Sequence, residues 1–462
     1  MESRNRCYVN YLPVELLREV FIYLLPDQDW RLQDTPPPQL LLVQICSYWR
    51  NVALTYPRLW STFMVVSPIK RHIPMIKLWL KRSGQYPLTL YIDHHNSDAE
   101  ETIMTTNAVI ELLRPHVHRW KSATFFFFAE YIQSSFLALP HDEYPLLETL
   151  SLDLTGAFYR GPDYMEQVEK IFIPSSSPRL RAITWETYGL PLCIPPFPSN
   201  IMCLSGGFMV NFSLFNALSG LSNLQTLRLH GGVQHGIVPP PRPILQILHR
   251  LHALELRTAL CTSSLLDSIT TPSLKILVTS IQLEEKTQIS LCSFISRCRC
   301  RLRAFSYFDA WGNDLDNTFF EQFLVSPHMA WLYELNIITS DSDTVLRILS
   351  RVDTNEPILP SLNRLWLLTW SCQGKLLLDM LEYHANDFHP PTGNMMSEPL
   401  FSPRCPHPGR YMFIPVAGYS LCIQVNWYKS HGEVSQWLKS NVRAQCGRVQ
   451  VQTINLAEIL KF

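Results

Sequence analysis

The chain has 462 residues, of which 47% are hydrophobic and 17% charged, and its 39 basic residues balance 39 acidic ones. This composition excludes a largely disordered protein, because so many apolar residues can bury enough surface to fold. A formal net charge of zero, without a long basic run, argues against nucleic acid as the main partner.

The first residues and the cysteines are typical of an intracellular protein. The charged start, residues 1–6, lacks the apolar core of a signal peptide. No uncharged apolar run approaches the roughly 18 residues that a membrane helix needs. The 12 cysteines are scattered and do not form a disulfide framework. We therefore expect a protein of the cytoplasm, the nucleus or both, with no membrane partner.

Two amphipathic helices are predicted near the start of the chain. In the first, residues 13–25, the apolar stripe consists of Leu16, Leu17, Val20, Phe21, Leu24 and Leu25. The second carries Leu41, Leu42, Ile45, Cys46, Trp49, Val52 and Ala53 and is bounded by Pro57. Helices this short bury too little surface to be very stable alone. Part of their apolar surface should therefore meet a neighbouring domain or a partner, although the same residues could form the core of an ordinary helical hairpin.

This segment resembles an F-box. The resemblance rests on Leu12, Pro13, Glu15, Leu16, Val20, Phe21 and Leu24, then on Ile45, Cys46, Trp49, Arg50, Val52 and Ala53. The ending Pro57, Leu59 and Trp60 is similar to that of large families of fungal F-box proteins, and so is the run of residues 79–90 that follows. The insert Asp27 to Pro38 is longer than in compact F-boxes, a length that a surface loop can absorb at little entropic cost.

The resemblance implies docking on a Skp-type adaptor and, through it, on a cullin. The residues it implies as adaptor contacts are Leu12, Pro13, Glu15, Leu16, Leu17, Val20, Phe21, Leu24, Ile45, Cys46 and Trp49. Leu12, Pro13, Leu16 and Leu17 are the expected central contacts. We expect Trp49 and Trp60 to hold the helices together and join them to the rest of the chain.

The rest of the chain repeats a short motif, Leu-x-x-Leu-x-Leu. After a helix over 69–80 and a strand over 87–92, copies start at Trp120, Leu147, Leu180, Leu224, Leu251, Leu274, Leu302, Leu332 and Leu362, in steps of 23 to 44 residues. Helix-like stretches lie between them, for example 212–218, 244–248, 291–295, 319–324 and 345–349. Repeats of this length predict parallel strands that stack into an irregular leucine-rich-repeat solenoid. Pro191 to Gly207, in the longest step, is expected to be an inserted loop.

The predicted fold class is therefore α/β, with an N-terminal helical F-box followed by an irregular leucine-rich-repeat-like solenoid with a parallel sheet. The predicted segments are an F-box-like domain (8–62), a helix-strand connection with a first irregular repeat (63–118), the solenoid (119–384), and a loop with a C-terminal cap (385–462). In the cap, strands are expected near residues 411–415, 421–427 and 449–451.

The sequence contains little that points to catalysis. It has no phosphate-binding loop, dinucleotide fingerprint, nucleophile elbow or His-Glu-x-x-His zinc motif. Three weak clusters could be a zinc site, a ligand or redox set of thiols, and carboxylate pairs, but ordinary loop, thiol and capping roles explain them better. They are, in that order, His384, His389, Cys405 and His407; Cys292, Cys298 and Cys300; Asp314, Asp316, Asp341 and Asp343. We therefore expect no catalytic, cofactor-binding or metal-binding residue and no enzyme activity.

Two functions remain. The first is a substrate receptor of a Skp-cullin-F-box ubiquitin ligase, whose repeats bind a target protein that the sequence does not identify. The alternative is a leucine-rich-repeat interaction scaffold with no ubiquitin-ligase role.

Overall fold

The computed structural model describes residues 12–25, 37–94, 99–128, 134–140, 144–155, 177–186, 197–208, 212–230, 245–257, 262–279, 285–308, 317–338, 342–350, 358–362, 364–369, 419–426 and 449–455. The chain divides into two compact units, Met1–Met209 with Asn216–Asn223 and Val210–Phe215 with Leu224–Phe462. The division falls within helix α7 (Phe212–Ser219). The predicted segment boundaries at 62, 118 and 384 remain predictions.

The first unit begins with short helices and continues as a parallel sheet. Its helices are α1 (Val14–Tyr23), α2 (Pro38–Ile45), α3 (Ser47–Leu54), α4 (His72–Ser83), α5 (Glu100–Leu113) and α6 (Ser134–Leu137), with 3₁₀ turns at Pro57–Trp60 and Arg114–Arg119. Its strands are β1 (Thr62–Val66), β2 (Leu88–His94), β3 (Trp120–Phe128), β4 (Thr149–Thr155), β5 (Ala182–Glu186) and β6 (Cys203–Gly206). Each strand pairs in parallel with the next in the chain.

The second unit repeats the same strand-helix alternation. Its strands are β7 (Thr226–His230), β8 (Gln246–Ile247), β9 (Ala253–Arg257), β10 (Ile269–Thr270), β11 (Ile276–Thr279), β12 (Ala304–Phe308), β13 (Glu334–Ile338), β14 (Arg364–Thr369), β15 (Tyr419–Asn426) and β16 (Val449–Asn455). Its helices are α8 (Thr262–Ser268), α9 (Glu285–Cys298), α10 (Asn317–Val325) and α11 (Ser342–Leu349), with a 3₁₀ turn at Pro327–Met329. Strands β7, β9, β11, β12, β13 and β14 pair in parallel, and β15 and β16 continue antiparallel.

The strand register confirms the predicted repeat phase. The second apolar position of successive motif copies lies side by side: Leu227, Leu254, Leu277, Phe305, Leu335 and Leu365 form one row in the second unit, and Ala123, Leu150 and Ile183 form one in the first. All of these side chains are buried. Mixed α/β structure with parallel strands is thus confirmed for the described residues.

Two predictions about the repeats were wrong. The described part of the expected loop, residues 197–207, contains strand β6, in which Ile201 and Leu204 are buried like the first two leucines of a repeat. Gly206 stands at the third apolar position because a Cβ there would collide with the Trp185 carbonyl oxygen. The expected helical stretch 244–248 instead contains β8, which pairs with β10.

Strand β1 was not predicted, and the C-terminal predictions are partly described. Phe63 and Val65 of β1 are buried, and the strand alternates like the later copies. The strands expected near 421–427 and 449–451 correspond to β15 and β16, while the strand expected at 411–415 lies outside the described residues.

Candidate docking surface

Helix α1 has one buried edge and one exposed edge within its apolar stripe. Leu17 and Phe21, four residues apart, have no exposed surface. Leu16 is 55% exposed and Val20 is 42% exposed, and Leu24, just after the helix, is also exposed. Because residues at i, i+4 and i+8 share a helix face, the exposed leucines and valine form a continuous apolar line along α1.

Helices α2 and α3 repeat this arrangement on a smaller scale. Leu42, Val52 and Ala53 are buried. Leu41 and Ile45 lie four residues apart on α2 and are both exposed, with Ile45 at 57%. Part of the apolar surface of these helices therefore remains in contact with solvent.

Specific contacts fix α1 against α3. The rings of Phe21 and Trp49 lie 5.1 Å apart. The Tyr48 hydroxyl donates to the Leu12 carbonyl oxygen at 3.0 Å. The Cys46 sulfur accepts from the Trp49 N–H at 3.4 Å, which caps the start of α3. These contacts determine which edge of the α1 stripe is buried.

Trp60 joins the three helices to the residues that follow. Its side chain is fully buried, and its indole N–H donates to the Ala53 carbonyl oxygen at 2.8 Å. Its ring packs edge-on against Trp79 of α4, with centroids 5.9 Å apart, and the Arg82 guanidinium lies over it at 4.4 Å. Trp60 thus connects the three helices to α4, and Trp49, which is half-buried, packs against Phe21 between α1 and α3. That these residues join the helices to a repeat solenoid remains a prediction.

The predicted adaptor contacts fall into three groups. Pro13, Glu15, Leu16, Val20, Leu24 and Ile45 are exposed, and Leu12, Cys46 and Trp49 are half-buried. Leu17 and Phe21 have no exposed surface, so both pack between the helices. Their contact with an adaptor remains a prediction, and it would require the helices to rearrange.

The predicted adaptor contacts leave out three exposed apolar residues of the same helices: Tyr23, Leu41 and Leu54. Helical spacing could have found the first two. Tyr23 follows Leu16 by seven residues, and Leu41 precedes Ile45 by four.

Charged side chains border the exposed apolar line. Arg58 lies 3.8 Å from the Glu19 carboxylate, and the Arg18 guanidinium lies over the Tyr56 ring at 5.3 Å. Both members of the ion pair are exposed, so the pair contributes little to stability. A polar border around an apolar centre is typical of protein interfaces.

The cysteine cluster is structural. Cys298 and Cys300 are buried, and the Cys298 sulfur accepts from the Thr271 N–H at 3.2 Å. Burial, together with the neighbouring Cys298, raises the pKa of the Cys300 thiol to about 11. A thiol that holds its proton so tightly is a poor nucleophile at neutral pH.

The other weak clusters are described only in part. Asp343 lies in the first turn of α11, as expected of a capping carboxylate. His384, His389, Cys405, His407, Asp314, Asp316 and Asp341 lie outside the described residues. Among the residues that the structure does describe, no three His, Cys, Asp or Glu side chains are placed to hold a metal ion.

A row of buried carboxylates crosses the sheet of the first unit. Asp93, Asp153 and Glu186 occupy the same register line of β2, β4 and β5, with Phe126 of β3 between the first two. Burial, and next to it the charge of Asp153, raises the pKa of Glu186 to about 8, although a hydrogen bond from the Gly207 N–H opposes the shift. The structure thus holds a proton near neutral pH at a position that the sequence did not reveal.

No family model matches the sequence, and no curated protein matches it. No helix among the described residues is both long and apolar enough to cross a membrane.

Proposed function

We propose that this chain is the substrate-receptor subunit of a Skp-cullin-F-box ubiquitin ligase. In this proposal α1 to α3 dock on the Skp-type adaptor, and the strand-helix repeats bind a target protein. The chain itself breaks no bond. It acts by holding the target near the ubiquitin-charged enzyme, which raises the target's effective concentration there.

The exposed apolar line of α1 is the observation that carries the proposal. Leu16, Val20 and Leu24 remain exposed even though α1 is already anchored through Leu17 and Phe21. Neighbouring residues of α1 therefore have different roles. Leu17 and Phe21 pack the helix in place, and the residues beside them leave an apolar surface that a partner can bind. Together with the F-box resemblance of the same residues, this surface fits a helical docking module better than an isolated helical hairpin.

The exposed residues of α1 and α2 supply the anchors that a specific complex needs. Stable interfaces bury about 800 Å² per partner, and a few central apolar anchors supply most of the binding energy. Leu16 and Ile45 are candidates for such anchors because each exposes more than half of its surface. Replacing a central anchor typically costs about 2 kcal/mol or more, which is roughly thirtyfold in affinity.

Capture of the adaptor from cells tests the proposal. The variant Leu16→Asp with Ile45→Asp should lose adaptor and cullin in a pull-down, because two charges would be placed in an apolar interface. Both positions are exposed, so the far-ultraviolet circular dichroism should not change. Leu17→Asp is unsuitable for this purpose because it would place a charge in the core.

Ile289→Asp provides a matched control. Ile289 is 61% exposed on α9 in the second unit, and its replacement should leave adaptor capture intact. Equal capture of adaptor by the double variant and the unmodified chain would refute the docking role. A chain that captures other proteins but neither adaptor nor cullin would instead be a repeat scaffold without a ligase role.

A further inference from the structure

The turns that lead into β9, β11 and β12 concentrate positive charge in the second unit. Five basic residues lie in these turns, and we call them the basic edge: Arg250, Lys275, Arg299, Arg301 and Arg303. All five side chains are exposed. Neither these turns, residues 248–252, 271–275 and 299–303, nor the next turn, 326–333, contains a single Asp or Glu.

Local packing holds the basic edge in place. In the segment 300–304, Cys300, Leu302 and Ala304 are buried, while the two arginines between them, Arg301 and Arg303, are exposed. This period of two is that of an extended chain, which directs alternate side chains to opposite sides. The buried residues therefore fix the direction in which the arginines project.

Strand pairing then brings the turns side by side. The Lys275 N–H donates to the His252 carbonyl oxygen at 2.9 Å, and the Arg303 N–H donates to the Lys275 carbonyl oxygen at 2.8 Å. Lys275 and Arg303 thus occupy matching positions on neighbouring strands, whose backbones lie about 4.8 Å apart, although the two residues are far apart in the sequence. Like charges on adjacent strands repel each other. An anionic partner would relieve this repulsion.

Aromatic side chains lie beside the basic edge. Trp331, in the turn before β13, is exposed, and the Arg301 guanidinium lies over its ring at 4.5 Å. The Tyr333 N–H donates to the Arg303 carbonyl oxygen at 2.8 Å, which places the next turn against the edge. Stacked Arg and Trp side chains lose little freedom on binding, and both types are enriched in the centres of interfaces.

Arg299 occupies a backbone conformation that favours glycine. Its φ is 50°, just after the last residue of α9. A left-handed conformation is strained for a residue with a Cβ, and glycine commonly fills this position after a helix. Arginine therefore occupies a position at which glycine would be less strained.

We propose that the basic edge binds an acidic segment of a partner protein, an extended stretch rich in Asp and Glu. Charge complementarity with five clustered cations selects an anionic partner. A long nucleic acid is disfavoured because the whole chain has no net positive charge and because Arg301 already covers the exposed Trp331 ring. That this segment belongs to the ligase target rests on the proposed function, whereas the binding itself does not.

A fluorescein-labelled Glu-Ser repeat peptide tests the proposal by fluorescence anisotropy with the full chain. The matching Gln-Ser repeat should not bind. Replacing Lys275, Arg301 and Arg303 by Gln should weaken binding about tenfold, because exposed charge pairs contribute a few tenths to one kcal/mol each. Added salt should weaken the binding of the unmodified chain and have less effect on the variant.

A second triple variant is the control. Lys70→Gln, Lys77→Gln and Lys81→Gln remove three exposed cations from α4 and the residues before it, in the first unit, and should leave the affinity for the peptide unchanged. Equal losses in both variants, or no binding by the unmodified chain, would overturn the proposal. So would a single-stranded oligonucleotide of equal charge that binds more tightly than the peptide and loses its binding in the edge variant.

Arg299→Gly separates binding from folding. It removes a cation while relieving the left-handed backbone, so we expect weaker peptide binding without a lower melting temperature. Unchanged affinity would contradict the proposal for this member of the edge. Adaptor capture, measured on the same variants, should stay intact, so failure of the basic edge and failure of the ligase role are distinguishable.

Discussion

Helix α1 and the turn at residues 299–303 both place exposed side chains directly beside buried ones, but they expose different chemistry. On α1 the exposed side chains are apolar, with Leu16 and Val20 beside the buried Leu17 and Phe21. In the turn the exposed side chains are arginines beside buried cysteines and Leu302. The buried residues resemble each other because any core selects them. The exposed residues differ, and this is why we propose different partners for them, an adaptor with an apolar surface for α1 and an acidic segment for the turn.

The largest predicted effect tests the two edges of α1. Phe21→Ala should lower the free energy of unfolding by about 3–5 kcal/mol, since it empties a fully buried site against Trp49. Val20→Ala, one residue earlier, should change it by less than about 0.5 kcal/mol. Urea denaturation followed by tryptophan fluorescence measures both. Similar losses in the two variants would mean that the two edges of the helix do not have separate roles.

The sequence predicted the repeats well because leucines recur at buried positions of every copy. The row from Leu227 to Leu365 follows directly from that spacing. The prediction failed at β6 because Gly206 replaces the third apolar residue, and only the close Trp185 carbonyl explains why glycine is required there. A motif search for apolar side chains does not detect this substitution.

The candidate docking surfaces were harder to predict for two physical reasons. The apolar stripe of α1 is wide enough to have two edges, and the position of Trp49 on α3 decides which edge is buried. The basic edge gathers residues from 250 to 303, which become neighbours only through strand pairing. The local cluster of positive charge therefore cannot be predicted from the composition, because the net charge of the chain is zero.

Glu186 is one of several buried carboxylates on the strands, and its titration gives the next prediction. The folded protein keeps this proton up to about pH 8, whereas an unfolded chain loses it near 4.5. Between these values the folded state binds more protons, so the free energy of unfolding falls as pH rises. The fall should be on the order of a few kcal/mol.

Glu186→Gln should remove that part of the pH dependence, because the amide cannot lose a proton. Chemical denaturation at pH 5 and at pH 8, chosen as roughly the ends of this interval, measures it. The difference in stability between the two pH values should be smaller in the variant than in the unmodified chain. An equal difference in both proteins would mean that Glu186 titrates normally and that the row of carboxylates is open to solvent.

The smallest predicted effect concerns the basic edge itself. Arg301 lies over Trp331 at 4.5 Å, and an exposed pair of this kind contributes about 0.5–1 kcal/mol. A double-mutant cycle with Arg301→Gln and Trp331→Leu isolates this coupling from other contacts of either residue. Each single change should cost little stability, in contrast to Phe21→Ala, while Arg301→Gln should also weaken binding of the Glu-Ser peptide. A coupling energy of several kcal/mol would instead show that Arg301 and Trp331 stabilise the fold. The basic edge would then be a packing feature like the buried edge of α1, and not a surface for binding.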